Sequence, residues 1–211
     1  HRDLHSFPTR RSSDLLLLGN GWKTRNSCKG QEVAGKTIGI VGCGRIGKQV
    51  AKKAALGLDM KVIGYDPVIP ADVELENIER VATIEEIFEK ADFVSLHLPE
   101  TPQTKKMINK SLLSLMKPTA CLINCARGGI VDEDDLYEAL SEHKIHGAGV
   151  DVLTQEPFDK DSRLLKLDNM IVTPHDAALN VETMNKMGLD AAQGIYEVFE
   201  GLKPSWPVSK F

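Results

Sequence analysis

The stretch from Lys36 to Asp66 restricts this chain more than any other, because a strand, a glycine turn, a helix and a second strand follow one another there. Thr37–Val41 is a short apolar run with β-branched residues and reads as a buried strand. Gly42-Cys43-Gly44-Arg45-Ile46-Gly47 comes next. The spacing of Ile46, Val50 and Ala54, with Lys48, Lys52 and Lys53 between them, predicts a helix over Arg45–Leu56 with its lysines facing out. Lys61–Tyr65 is a second strand, and it ends on Asp66. Each piece suits the binding of a dinucleotide. Gly42 permits a tight turn, Gly44 lets backbone approach a pyrophosphate, and Gly47 lets helix and strand pack closely. The helix start offers N–H groups and a positive dipole end to phosphates. Asp66 lies 19 residues beyond Gly47, where a carboxylate can take ribose hydroxyls. The bland alternative is a glycine-rich turn without a ligand, and the strand, helix and acid around this one argue against it. A carboxylate also repels a 2′-phosphate, and Pro67, Val68 and Ile69 bring no cation, so NAD is favoured over NADP.

Past this unit the chain keeps alternating. A helix is predicted over Thr83–Lys90, with Thr83 as N-cap and Glu86 at the capping-box position. Asp92–Leu98 reads as a strand, Lys110–Met116 as a short helix, Ala120–Asn124 as a strand and Asp132–Ser141 as a helix begun by acids. His146–Val152 and Met170–Thr173 complete the strands, and Val181–Glu200 is a long amphipathic helix. Leu16 to Lys29 reads as the end of a helix and a loop, with Trp22 a packing residue. The expected fold is α/β, a Rossmann-type doubly wound parallel sheet with helices on both faces.

In such a sheet ligands sit beyond the carboxyl ends of the strands, so the residues that follow strands are the candidates for chemistry. Arg127 can clamp a carboxylate in a bidentate geometry or stabilise a developing alkoxide; the competing reading is a surface Arg paired with Asp132 or Glu133. Gly128-Gly129 beside it fits close approach of a ligand to the backbone. His175 follows Thr173-Pro174, whose stiff backbone fixes its direction, and an imidazole is the natural proton donor at neutral pH. A carboxylate such as Glu156 beside it would favour the charged ring. Most lone histidines are structural, and the 19 residues between these two leave their meeting undecided by sequence. His97, at a strand end, is a candidate for lining the cofactor site, whereas His143 and His146 read as packing or surface residues.

Composition narrows the rest. The 211 residues are 42% hydrophobic, enough for one sizeable core, and the formal charge is −4. His1–Leu15, HRDLHSFPTRRSSDL, has no periodicity and resembles, residue for residue, a translated sequencing-library adapter. It is set aside as non-native, and the natural protein is expected to begin upstream of Leu16. That segment carries a net +1, so the remainder stands at −5. Neither nucleic acid nor an anionic membrane surface suits that balance, and no apolar run reaches the length of a membrane span. Cys28, Cys43, Cys121 and Cys125 lack metal-ligand spacing; no metal is expected, and free thiols in a reducing cytoplasm are the simplest account.

With these residues together, the chain resembles the NAD-dependent D-2-hydroxyacid dehydrogenase family, its D-3-phosphoglycerate dehydrogenase branch in particular. The resemblance covers about Lys23 to Val208 and rests on GKTIGIVGCGRIG, YDP, LHLP, NCARGGIVDE, GAGVDV, QEP and TPH. It implies a catalytic trio of Arg127, Glu156 and His175. Arg45 and Ile46 would offer backbone to the pyrophosphate and Asp66 would hold the adenosine ribose. Leu98, Cys125 and Ala126 would line the nicotinamide side, Asp151 would take the carboxamide, and Ala177 and Ala178 would leave room after His175. Formate dehydrogenases of the same superfamily carry Gln where Glu156 stands. Asp176, where an apolar residue is expected, adds a carboxylate near the site.

The same resemblance divides the chain into 1–15, non-native; 16–178, the NAD-binding domain; and 179–211, a helix and tail that return to a substrate domain encoded largely upstream. The apolar side of that helix (Met184, Met187, Ile195) is therefore expected to be partly uncovered. A small 2-hydroxy acid or 2-oxo acid is the implied substrate, a homodimer the implied assembly and the cytoplasm the implied location. Two rivals share the fold: an NAD(H)-sensing interaction protein, and a truncated NAD-binding domain without activity. Phosphoglycerate, glycerate, glyoxylate and lactate are all open as substrates.

Overall fold

The computed structural model describes residues 30–207. The readings made for His1–Leu15 and for Leu16–Lys29, with Trp22 and Cys28, lie outside the described residues. Seven parallel strands form one sheet in the order β3-β2-β1-β4-β5-β6-β7. They are β1 (Thr37–Val41), β2 (Lys61–Tyr65), β3 (Glu79–Arg80), β4 (Phe93–Leu96), β5 (Cys121–Asn124), β6 (Gly147–Val150) and β7 (Met170–Val172). The helices are α1 (Arg45–Gly57), α2 (Ile84–Lys90), α3 (Lys110–Leu113), α4 (Glu133–Ser141) and α5 (Val181–Phe199). Strand order reverses between β1 and β4, and that switch point opens a crevice at the carboxyl edge.

Alternation along the central strands feeds two cores. Ile38, Ile40 and Val62 join Ala51 and Ala54 of α1 on one face, while Val41, Ile63, Val94 and Leu122 join Ile87, Phe88, Leu136 and Leu140 on the other. Further along, Leu122, Ala148, Val150, Met170 and Val172 are buried, whereas Ile171 on the alternate side is 48% exposed.

Three local readings need correction. Helix α1 buries Gly47, Ala51 and Ala54, not the Ile46, Val50 and Ala54 line expected from hydropathy, and Ile46 is 69% exposed. The reason is close packing: a Cβ on Gly47 would stand 2.1 Å from the Gly42 carbonyl oxygen, so only a small-residue face can meet the turn. Strand β3 is two residues long and pairs with Ile63 and Gly64, too short to leave a periodic signature. The loop before β7 also holds a 3₁₀ turn at Arg163–Lys166.

The residues from His175 onward form a second compact unit; the first ends at Pro174. Its helix α5 is capped by Asn180, whose side chain accepts from the Thr183 N–H. The tail folds back on that helix. Ser205 donates its N–H and hydroxyl to the Glu197 carboxylate at 2.6 and 2.7 Å, and Lys186 lies over the Trp206 ring at 5.4 Å. Met184, Met187, Ile195, Val198 and Phe199 are all exposed, Phe199 to 86%, in keeping with the uncovered side expected for this helix.

Candidate functional site

The turn from β1 into α1 lies at the switch point, and its three glycines answer to different forces. Gly42 has φ +94°, and a Cβ there would come within 2.6 Å of the His97 carbonyl oxygen and 2.9 Å of Leu98 Cδ2, just past β4. Gly47 is closed by Gly42 itself. Gly44 is unlike both: its backbone is extended, it is exposed, and a Cβ would meet nothing within 4 Å. No contact among the described residues requires glycine there, and space for an approaching ligand accounts for it.

Helix α1 is also the one described α-helix without a side-chain cap. Thr83, Asn109, Asp132 and Asn180 cap the other four, while Gly44 leaves the first turn of α1 to its own N–H groups. Arg45, Ile46 and Gly47 thus present amides and a dipole end suited to a pyrophosphate. The donor set fits a dinucleotide.

Asp66 follows β2 and is half-buried beside this turn. Its Oδ2 accepts from the Cys43 N–H at 2.8 Å, and its Oδ1 accepts from Val68 at 2.9 Å and Ile69 at 3.3 Å. A carboxylate has about four lone-pair sites, so one remains for a ribose hydroxyl. Arg80 of β3 closes the loop that follows, donating to the carbonyls of Ile69 and Val73, both at 2.9 Å. Cys43 is buried, and burial first, then the Asp66 charge, pushes its thiol up to about 11.

At the end of β5, Asn124 is buried at 1% exposure and shapes the next three residues. Its Nδ2 donates to the Arg127 carbonyl and its Oδ1 accepts from the Ala126 N–H, each at 3.0 Å. Cys125 is exposed, and its thiol is raised by burial of the sulfur and by the Asp151 charge. Arg127 is exposed, donates Nη1 to the Ala126 carbonyl at 2.7 Å, and forms no salt bridge among the described residues. The competing pairing with Asp132 or Glu133 is therefore absent there: Asp132 takes Lys106 at 3.1 Å and caps α4, and Glu133 accepts from the Thr154 N–H. Gly128 and Gly129 are buried, contrary to the ligand-approach reading. A Cβ on Gly128 would lie 2.0 Å from the Leu153 carbonyl carbon, and one on Gly129 would meet the Glu100 carboxylate at 2.4 Å.

Asp151 follows β6 and is buried; its N–H donates to the Asn124 carbonyl at 2.9 Å and its carboxylate accepts the Thr173 hydroxyl. Leu98 sits against Gly42, and burial lowers the His97 ring, which shares a 2.9 Å hydrogen bond with Ser95. The structure thus gathers the turn, Asp66, Leu98, Cys125, Ala126, Arg127 and Asp151 along one carboxyl edge. Glu156 lies in an exposed loop of the same unit. His175, with φ +54°, and Ala177 and Ala178 belong to the second unit, where all three are exposed. Sequence reasoning missed the parts played by Asn124 and Arg80. An Asn closing a strand before a tight loop was the available signal for the first; β3 is too short to have announced the second.

The chain matches the family model described as D-isomer specific 2-hydroxyacid dehydrogenase, NAD binding domain, over residues 10–177. It is 46% identical over 185 residues to a D-3-phosphoglycerate dehydrogenase of Methanocaldococcus jannaschii, covering 87% of this chain and 35% of that one. It is 38% identical to a hydroxypyruvate reductase of Thermotoga maritima, covering 86% of this chain and 59% of the relative. The chain therefore spans between a third and three-fifths of the length of these relatives. Among solved structures it resembles the D-mandelate dehydrogenase of Rhodotorula graminis, with 30% identity and a TM-score of 0.86 over 96% of this chain and 60% of that one.

Proposed function

The chain belongs to the D-isomer specific 2-hydroxyacid dehydrogenase family, and from that premise we propose that it is the cofactor-binding part of an NAD-dependent oxidoreductase. The reaction joins a D-2-hydroxy acid and its 2-oxo acid through hydride transfer at C2, and phosphoglycerate-like acids fall within its range. One observation carries the reading: among the described α-helices α1 alone lacks a side-chain cap, at a turn where Gly44 has no described neighbour to avoid.

In this reading the amides of Arg45 and Ile46 hold the pyrophosphate, and Asp66 holds the adenosine ribose. Asp66 meets no free cation in the residues after it, and Arg80 commits its guanidinium to two loop carbonyls, which favours NAD over NADP. Leu98, Cys125 and Ala126 line the nicotinamide side, Asp151 takes the carboxamide, and Ala177 and Ala178 leave room for ligands. Bound NADH supplies the hydride. Arg127 binds the carboxylate and carbonyl of the 2-oxo acid, polarising the carbon that is reduced. His175 gives the proton to the carbonyl oxygen, with Glu156 orienting and charging its ring. Oxidation reverses the order.

The proposal extends to a second domain supplied by the rest of the polypeptide, to a homodimer and to a cytoplasmic setting. Cys43, Cys121 and Cys125 are free thiols, as a reducing compartment would keep them. No helix among the described residues is long and apolar enough to cross a membrane.

The test uses the full-length protein with NADH and a panel of 3-phosphohydroxypyruvate, glyoxylate, hydroxypyruvate and pyruvate, following loss of NADH absorbance. Turnover by the natural protein, lost in Arg127→Ala while NADH still binds, supports the reading. NADH binding without turnover of any 2-oxo acid favours a sensor or an inactive domain and rejects it.

A further inference from the structure

We propose that Asn124 is a positioning residue that sets the direction of Arg127, an inference that rests on Arg127 being the substrate clamp. Asn124 is the last residue of β5 and is held from both sides, in register with Leu96 of β4 and Val150 of β6. Its carbonyl accepts from Asp151 N–H at 2.9 Å. The buried amide then reaches forward over its own loop, Oδ1 to the Ala126 N–H and Nδ2 to the Arg127 carbonyl. Only one orientation of the amide satisfies both partners, because one is a donor and the other an acceptor.

Arg127 depends on that arrangement. Its guanidinium bonds to the neighbouring Ala126 carbonyl and to no acid among the described residues, so its direction is inherited from the backbone. That backbone is gripped at two points. Asn124 holds it before Arg127, and the burial of Gly128 against Leu153 holds it after. A carboxylate at 124 keeps the bond from Ala126 but turns an acceptor on the Arg127 carbonyl. The loop would then swing, and with it the clamp.

The experiment compares Asn124→Asp and Asn124→Ala with Asn169→Ala in the full-length protein. Asn169 is a matched control: its side chain donates to the Leu140 and His146 carbonyls, near the opposite edge of the sheet. With glyoxylate and hydroxypyruvate as probes, both Asn124 variants should lower kcat/KM by roughly 10- to 100-fold, through kcat as well as KM, because the displaced clamp both binds the carboxylate and polarises the carbonyl. Their NADH affinity should stay within twofold. Asn169→Ala should lower Tm and leave kcat/KM within twofold. In an Arg127→Ala background Asn124→Asp should cost nothing further. Should Asn124→Asp fail to fold, Asn124→Ser, which keeps a donor and an acceptor on a shorter arm, carries the same comparison.

Equal losses at positions 124 and 169 for equal changes in Tm would overturn the assignment. So would a fall in NADH affinity that accounts for the fall in kcat/KM, or additive losses with Arg127→Ala. A natural protein that turns over neither probe, nor 3-phosphohydroxypyruvate nor pyruvate, overturns the dehydrogenase reading itself, and this assignment with it. Normal turnover that is indifferent to Asn124 overturns the assignment alone.

Discussion

Asp66 Oδ2 accepts the Cys43 N–H across 2.8 Å, so the residue that follows β2 also pins the turn that follows β1. The carboxylate therefore works twice, once as part of the fold and once as the candidate ribose ligand. Replacing it with Ala should weaken NADH binding about tenfold, the order of a lost charge-assisted hydrogen bond. It should also lower stability by about 1–2 kcal/mol, because the Cys43 amide loses its partner. Discrimination against NADPH should shrink, since the charge that repels the 2′-phosphate is gone. Fluorescence titration with both nucleotides, beside a thermal melt, checks all three.

Two glycines of the turn, Gly44 and Gly47, should separate folding from binding. Gly44→Ala adds a methyl to open space, so Tm should hardly move while NADH binding falls by about tenfold or more. Gly47→Ala puts a Cβ 2.1 Å from a backbone oxygen and should cost about 3 kcal/mol, with binding lost through unfolding. Comparing denaturant midpoints with nucleotide affinities distinguishes the two; a destabilised Gly44→Ala would show that the site has been misplaced.

Thiol labelling should rank the cysteines. Cys125 is exposed and Cys43 is buried with its thiol near 11, so iodoacetamide should modify Cys125 and spare Cys43 in the folded protein. Because burial and Asp151 raise the Cys125 thiol, its labelling should be slow at neutral pH and quicken as pH rises. Bound NAD should protect it. Peptide mapping by mass spectrometry reads each outcome.

Asp92 joins the start of β1 to the residues before β5, accepting from the Thr37 N–H at 2.9 Å and pairing with Lys117 at 3.0 Å. Burial works against its charge, but these two partners prevail and hold its carboxyl below the usual Asp range. A folded value below the unfolded one means stability that is present at neutral pH and lost as pH falls below about 4. Asp92→Asn should therefore cost about 1 kcal/mol at pH 7, a partly exposed pair being discounted for solvent. The gap between the variants should close in acid, as thermal melts across pH will show.

The course of the chain was largely legible beforehand because periodicity is a local property. Strands β1 and β2 and the start of α1 fall where hydropathy and the glycine turn placed them, and Thr83 caps α2 as its capping box implied. The helix face of α1 was misjudged because Ile46 is more apolar than Gly47, yet packing against a backbone oxygen selects for size rather than hydropathy. Gly128 and Gly129 were misread for a related reason: a glycine has the same letter whether a ligand or Leu153 lies beside it.

By itself the amino-acid sequence determined the order of the five helices and of every strand but β3, the family, and the residue types able to bind a nucleotide and a carboxylate. Tertiary structure alone decided which glycines are closed by a neighbour and that Asp66 pins the turn after β1. Gly42 against His97, Gly128 against Leu153 and Asp66 against Cys43 are contacts between residues far apart in the chain. The distances in such contacts are set by how the strands align in the sheet, and no local pattern of letters encodes them.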